Sequence, residues 1–413
     1  MTAAMALAPT SDQVPGATRP RLVLAVATMA AALDGFDGQA MAFVATALSQ
    51  DWGVALPAFG AVFSLGIFGL IVGGVLLAPL GDRVGRRQLI LWSGLGVGIA
   101  TVMTAFTTTI PQLMAIRFVT GICLGAMMPG LITVAHEAPE ARWRAMYVTI
   151  LMCGFPMGGF VGGMLSAWLL PIYGWEALFA ASGIATLVIV GLLLVTLENR
   201  SVPRPVAAPA RATLPRGALL RGRYLAVTLT LWLLFFATLL NVYLLASWLP
   251  ALLERDGFTG SQAAMAAGVL NLGGVAGGLG LGFLVARAGE RVLVPAFAVG
   301  AAAVLLLGFV GGTFAALLAT ALVVGAVIPG GQVCNNAIAA ARYPARLRAT
   351  GIGWAQGVGR IGSVIGPALV GLALAAQLSN RQIFATAAIL SLVAALAAFI
   401  LSRLGAVNEE TEA

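Results

Sequence analysis

Apolar runs of about 20 to 28 residues alternate with short clusters of charge along almost the whole chain, and each is long enough to cross a bilayer as a helix. Cutting the chain at the charge clusters predicts twelve spans, centred near Asp34, Gly69, Gly98, Leu124, Gly158, Leu187, Ala237, Gly274, Ala302, Gly325, Gly362 and Val393. The longest polar interruption, Glu198 to Arg223, is rich in Pro and Arg and divides six spans from six. The expected organisation is a cytoplasmic tail at 1–20, a six-helix bundle at 21–197, a cytoplasmic linker at 198–222, a second six-helix bundle at 223–404 and a cytoplasmic tail at 405–413. The fold class is therefore all-α and polytopic, in two six-helix halves.

Composition agrees. Of 413 residues 60% are hydrophobic and 9% charged, where a soluble domain carries about 25% charged residues. The polar, Pro-containing start precedes a first span that reads as uncleaved, not as a signal peptide. Cys123, Cys153 and Cys334 all fall inside apolar spans without metal-ligand spacing, and read as small buried hydrophobes. All 23 basic residues are arginine, and an inside N-terminus places 19 of them on the cytoplasmic side, as the positive-inside rule requires. Only Arg255 and Arg381 then face outward, while Arg117 and Arg360 lie within spans. The net charge of +8 thus reflects orientation and calls for no nucleic-acid partner.

The two halves repeat at an offset of 204 residues. Asp82–Arg87 (DRVGRR) recurs as Ala286–Arg291 (ARAGER), RWRA at Arg142 recurs as RLRA at Arg346, and Gly158 and Gly162 map onto Gly362 and Gly366. Parallel halves of this kind bind substrate between them near the midplane. The same offset pairs Asp34 with Thr238, Asp37 with Asn241, Arg117 with Ala321 and Pro156 with Arg360. Intramembrane acids are thus confined to the first half and a lone guanidinium to the second.

Asp34 and Asp37 are expensive where they stand: an ionised carboxylate at mid-membrane costs about 2.5 to 3.5 kcal/mol on insertion scales, so intramembrane acids read as functional. Three residues apart on one helix face, they are expected to look into one place, with Arg117 at comparable depth, and to favour sharing a proton. Arg360, flanked by Gly359 and Gly362, has the planar fork that binds a carboxylate bidentately. Asp82, Arg83, Arg86 and Arg87, at a cytoplasmic helix junction, suit a conformational gate, together with Glu137, Arg142 and Arg144. The lone His136 beside Glu137 reads as part of a solvated charge network.

GDRVGRR between the second and third spans and RFVTGICLG in the fourth resemble the loop and arginine motifs of the major facilitator superfamily. DGFD in the first span, CGFPMGG in the fifth, SWLPALL in the seventh and RATGIGWAQGVGRIGSVIGP in the eleventh resemble its aromatic acid:proton symporter family. The resemblance covers nearly the whole chain and implies proton-driven uptake of a benzoate-like or phenylpropanoate-like acid across a bacterial inner membrane. Three departures bear on gating: Ala78 stands where the loop signature has Gly, although Gly282 keeps it in the second copy; Ala286 replaces the second copy's Asp; and Glu176 follows Gly174 and Trp175 where the family often has Arg.

Asn241, Tyr243, Asn271, Gln332, Asn335, Asn336, Trp354 and Gln356 supply the amide and aromatic groups from which a pocket for a hydroxylated aromatic carboxylate would draw, some of them serving instead as bonds between helices. GVGRIG lies inside an apolar span with no preceding strand and is no dinucleotide fingerprint. No metal, cofactor or nucleotide is expected. The reading is a monomeric, alternating-access carrier whose partners are an aromatic acid, protons and the lipid bilayer. A proton-coupled exporter of the same superfamily remains open, as does a non-transporting membrane sensor, against which the expected lack of a soluble output domain argues.

Overall fold

The computed structural model describes residues 19–197, 219–309 and 313–404; nearly all of the two expected tails and of the linker lies outside the described residues. Among the described residues twelve long helices cross the molecule: α1 (Pro20–Asp51), α2 (Leu56–Leu80), α3 (Arg86–Thr104), α4 (Ile110–Glu137), α5 and α6 (144–173 and 175–196), α7 (Gly222–Arg255), α8 (Gly260–Ala288), α9 (Glu290–Leu307), α10 (Phe314–Arg342), α11 (Ala345–Ala375) and α12 (Asn380–Arg403). Asp34 and Asp37 dilute the hydropathy of α1, and the arginines of its first turn dilute α3. The remaining helices are apolar enough to span a bilayer on composition alone.

Junctions between the helices are short. A reciprocal capping box starts α8 at Thr259 and Gln262, and a second starts α12 at Ser379 and Gln382. Between α5 and α6 the expected loop shrinks to one residue: the helix runs through except at Gly174, whose φ of 76° and ψ of 179° break it. Only glycine adopts that conformation without steric cost. Helices that begin at the arginine-rich face, where α1 starts and α12 ends, alternate with helices that begin at the opposite, arginine-poor face.

The internal repeat is written in helix crossings. In the first half, a Cβ at Gly69, Gly73 or Gly121 would meet the carbonyl oxygens of Phe118, Ile122 and Gly66 at 2.3, 1.9 and 2.1 Å, so α2 and α4 touch backbone to backbone. Gly273, Gly277 and Gly325 make the same contacts with Leu322, Ala326 and Leu270 between α8 and α10, at 2.3, 1.8 and 1.9 Å. Every residue of the second set lies 204 positions after its counterpart. Gly158 of α5 against Ala32 O of α1 and Gly362 of α11 against Phe236 O of α7 form another such pair, at 1.7 and 2.7 Å. Small residues at these crossings supply the close packing that hydrophobicity cannot provide in lipid.

Gly277→Leu is therefore expected to destabilise the second half by about 1–3 kcal/mol or more, the usual penalty for overpacking a tight contact. A Cβ at Gly280 would meet nothing within 4 Å, so Gly280→Leu is the control. Thermal melting in detergent distinguishes them, and equal melting temperatures for the two variants would contradict the close crossing.

Candidate transport site

Two polar centres occupy the interior, one in each half. In the first, α1 presents Asp37, buried at 4% exposure, to α3 and α4. Thr101 donates its hydroxyl to Asp37 Oδ1 at 2.7 Å, and Arg117 Nη1 lies 3.4 Å from Oδ2. Arg117 also donates through Nη2 to Thr104 Oγ1 at 2.7 Å, and its guanidinium stands 5.2 Å from the Phe179 ring of α6. An arginine 6% exposed is held by a carboxylate, a hydroxyl and an aromatic face, while its Nε has no hydrogen-bond partner.

Asp34, one turn earlier, has a different setting. It lines a cavity of about 10 Å³, close to the least that admits one water, with Val97, Met127, Thr186 and Ile189, and makes no hydrogen bond among the described residues. The two acids therefore share the interior of the first half but not their partners. Three residues advance a helix by 300°, which is near enough for one face and far enough for separate neighbours.

The second centre lies in α7, α10 and α11. Arg360 Nη1 donates to the Tyr243 hydroxyl at 3.1 Å, and Gln356 Nε2 donates to Asn336 Oδ1 at 2.9 Å. Gln332, half-buried, lies one turn from Asn336 on α10. Trp354, 50% exposed, stacks on Trp232 at 5.8 Å and lines a roughly 450 Å³ open cavity with Gly353, Gly357 and Ile361.

Three of the predicted pocket amides bond to neighbouring helices. Asn241, only 1% exposed, donates to Ala387 O and Ser391 Oγ, both at 2.8 Å, and ties α7 to α12. Asn335 donates to Thr238 Oγ1 at 2.9 Å and ties α10 to α7. Asn271 exchanges hydrogen bonds with Gln39, at 2.9 and 2.7 Å, and so joins the two halves. Gly159 makes room for that pair, since a Cβ there would fall 2.4 Å from Gln39 Nε2. Gln39 is a residue that sequence reasoning passed over, although the cost argument that singled out its neighbours applies to an amide at the same depth. Thr101 gave no signal, because threonine is common in membrane helices.

Other contacts between the halves lie in the arginine-poor part of the helices. Ser64 of α2 donates to Val364 O of α11 and Ser261 of α8 to Ala167 O of α5, each at 2.7 Å, and Phe63 meets Trp248 edge to face at 5.2 Å. At the arginine-rich face the expected gate residues find partners inside the first half: Arg86 bonds Glu137, Arg87 caps α6 through Leu194 O and Leu197 O at 2.8 Å, and Arg142 pairs with Glu140 at 3.1 Å. Arg83 and Arg144 are exposed, and the Asp82 side chain lies outside the described residues. The second half carries a similar pair with its charges reversed, Glu290 with Arg342, where Glu290 is the counterpart of Arg86 and Arg342 lies one residue past that of Glu137.

Twelve helices in two pseudo-symmetric halves, with polar centres near the midplane, constitute the architecture of a secondary transporter. The chain belongs to the major facilitator superfamily, whose sequence profile matches residues 27–367 and 231–412. It is 34% identical to the gallate transporter of Pseudomonas putida, covering 94% of this chain and 92% of the relative, and 35% identical to the 3-(3-hydroxy-phenyl)propionate transporter of Escherichia coli, covering 95% and 96%. The 4-hydroxybenzoate transporter PcaK of Acinetobacter baylyi is 32% identical, with 92% and 91% covered. Among solved structures, a bacterial homologue of the human lysosomal transporter Spinster, in an inward-facing and occupied conformation, superposes with a TM-score of 0.77 at 18% identity, covering 94% of this chain and 98% of that one.

Proposed function

We propose that the protein imports a hydroxybenzoate-like or phenylpropanoate-like acid by proton symport, as a monomer in a bacterial inner membrane with both termini cytoplasmic. The observation that carries the reading is the segregation of charge: carboxylates and their arginine lie inside one half, and in the other lies a guanidinium whose side-chain partner among the described residues is a tyrosine hydroxyl. A fixed cation with free donors is suited to an anionic substrate, and a buried acid to a proton. The relatives' names supply the aromatic ring. With the arginine-rich face cytoplasmic, the Gln39–Asn271, Ser64–Val364 and Ser261–Ala167 contacts make this an inward-facing state. Arg360 holds the anion, Asp34 and Asp37 take up the proton, and the loaded halves rock about the midplane.

Counterflow of labelled 4-hydroxybenzoate in proteoliposomes, followed by an imposed inward proton gradient, tests the proposal. Accumulation is expected. Expulsion would establish the antiport alternative, and binding without counterflow would establish the sensor.

The arginine-rich face is read as a gate. Arg86→Ala or Asp82→Asn should slow turnover severalfold while calorimetric affinity stays within a few-fold, because this junction lies half a membrane from Arg360. Collapse of binding in folded protein would place the junction in the site.

A further inference from the structure

The closed seam between the halves has a register. On α2 and α11, which run antiparallel, Pro57 O lies 2.9 Å from where a Cβ of Gly371 would stand and Pro367 O lies 3.2 Å from that of Gly60, while Ser64 bonds Val364 O at 2.7 Å. Seven residues forward on α2 are thus matched by seven residues back on α11, and the contact line keeps to one face of each helix. Carried two turns further toward the arginine-rich face, the same line brings Ile71 opposite Gly357, and one turn beyond that it brings the stretch around Val75 opposite Gly353. There the helices stand apart: a Cβ at Gly353 or Gly357 would meet nothing within 4 Å, and Val75 and Leu76 are 65% and 64% exposed. Both surfaces are shaped for contact. Gly73–Leu77 forms a single π-helical turn, whose extra residue turns Val75 and Leu76 outward side by side, whereas the counterpart stretch of α8, 277–281, lies inside an unbroken α-helix. Facing that bulge, α11 offers the open groove of roughly 450 Å³, with Gly353 and Gly357 between Thr350, Trp354, Val358 and Ile361. Glycine weakens a helix, and at Gly277 and Gly325 a tight crossing offsets the loss. At Gly353 and Gly357 the present state offers no such crossing.

Resting on the transport reading above, we propose that the Val75–Leu76 bulge of α2 docks into the Gly353–Gly357 groove of α11 when the outer seam opens, and that this contact closes the arginine-rich side in the outward-facing state. The seam is made at Ser64–Val364 and open at Ile71–Gly357, so the two helices rock against each other between those levels. Parting their outer ends brings the inner ends together along the same faces. Two branched side chains packed on glycine backbone then replace the contacts given up outside, which keeps the two states close in free energy. The bulge is confined to α2, so this closing contact belongs to one of the two seams and has no copy between α8 and α5.

Cysteine cross-linking in full-length protein tests this, with Cys123, Cys153 and Cys334 replaced by alanine. Val75→Cys or Leu76→Cys is combined with Gly353→Cys, and counterflow of labelled 4-hydroxybenzoate in proteoliposomes is followed before and after oxidation with copper phenanthroline. At least one pair is expected to cross-link during turnover, to stop counterflow once linked and to restore it on reduction. Gly353→Leu, made in the otherwise unaltered chain, fills the groove. It should melt and bind the acid as wild type does while its counterflow falls to the level of empty vesicles, and Gly280→Leu, equally open but outside the seam, should keep counterflow. The leucine variant decides the matter if the cysteine-free parent does not fold. Absence of a cross-link in both pairs of an active protein, or wild-type counterflow in Gly353→Leu, overturns the docking contact and leaves transport standing. Absence of counterflow in wild type overturns the transport reading beneath it.

Discussion

Asp37→Asn is expected to reduce uphill uptake in proteoliposomes to the level of empty vesicles, and Asp34→Asn to impair it severely, for different reasons. An asparagine at position 37 still offers an oxygen to Thr101, whose bond there is 2.7 Å, but no longer neutralises Arg117 across 3.4 Å. Removing one partner of a buried pair costs about 3–5 kcal/mol, so the melting temperature of this variant should fall together with its transport. Asp34 makes no side-chain hydrogen bond among the described residues in its largely apolar recess, and its amide variant should melt as wild type does while losing net proton transfer. Exchange of labelled for unlabelled substrate needs no net proton movement and should persist in Asp34→Asn. Uphill uptake at wild-type rates in both single variants would remove these acids from the coupling mechanism.

The split between Asp34 and Asp37 marks where the sequence stops being informative. Charge, spacing and membrane cost single out both acids and Arg117, since a carboxylate in hydrocarbon is conspicuous against alanine and leucine. The partners of those acids are threonines, and Thr101 and Thr104 look like any other membrane threonine. The offset of 204 residues was readable from two loops and two glycines, and it extends residue for residue through the α2–α4 and α8–α10 crossings. What periodicity cannot supply is the use to which an amide is put. Asn241, Asn335 and Asn271 are chemically as fit for a pocket as Asn336, yet they bond α12, α7 and the opposite half. Those assignments depend on which helix passes within about 3 Å, and hence on tertiary packing. The division between α5 and α6 was legible as two spans, but not that one positive-φ glycine, Gly174, would make it.

Arg360→Ala is expected to weaken binding of the transported acid by about 2–5 kcal/mol, the penalty for truncating one partner of a buried charge pair. A guanidinium at this depth is costly unless paired, and its counterpart in the repeat is Pro156, so no inherited structural pairing accounts for it. Its side-chain bond in the structure is to the Tyr243 hydroxyl at 3.1 Å, a neutral partner that leaves other guanidinium donors for a carboxylate. Arg360→Lys should recover only part of the loss, because an ammonium lacks the fork that meets two carboxylate oxygens at once. Tyr243→Phe should cost less, about 0.5–1.5 kcal/mol, since it removes one neutral hydrogen bond and leaves the charge. The decisive comparison uses the amide of the same acid as ligand. It should bind wild type poorly, and the loss on Arg360→Ala should be small because there is no charge for the guanidinium to meet. Calorimetry on wild type and variant with both ligands measures the difference directly, and equal losses for acid and amide would make Arg360 structural and move the anion site to Arg117.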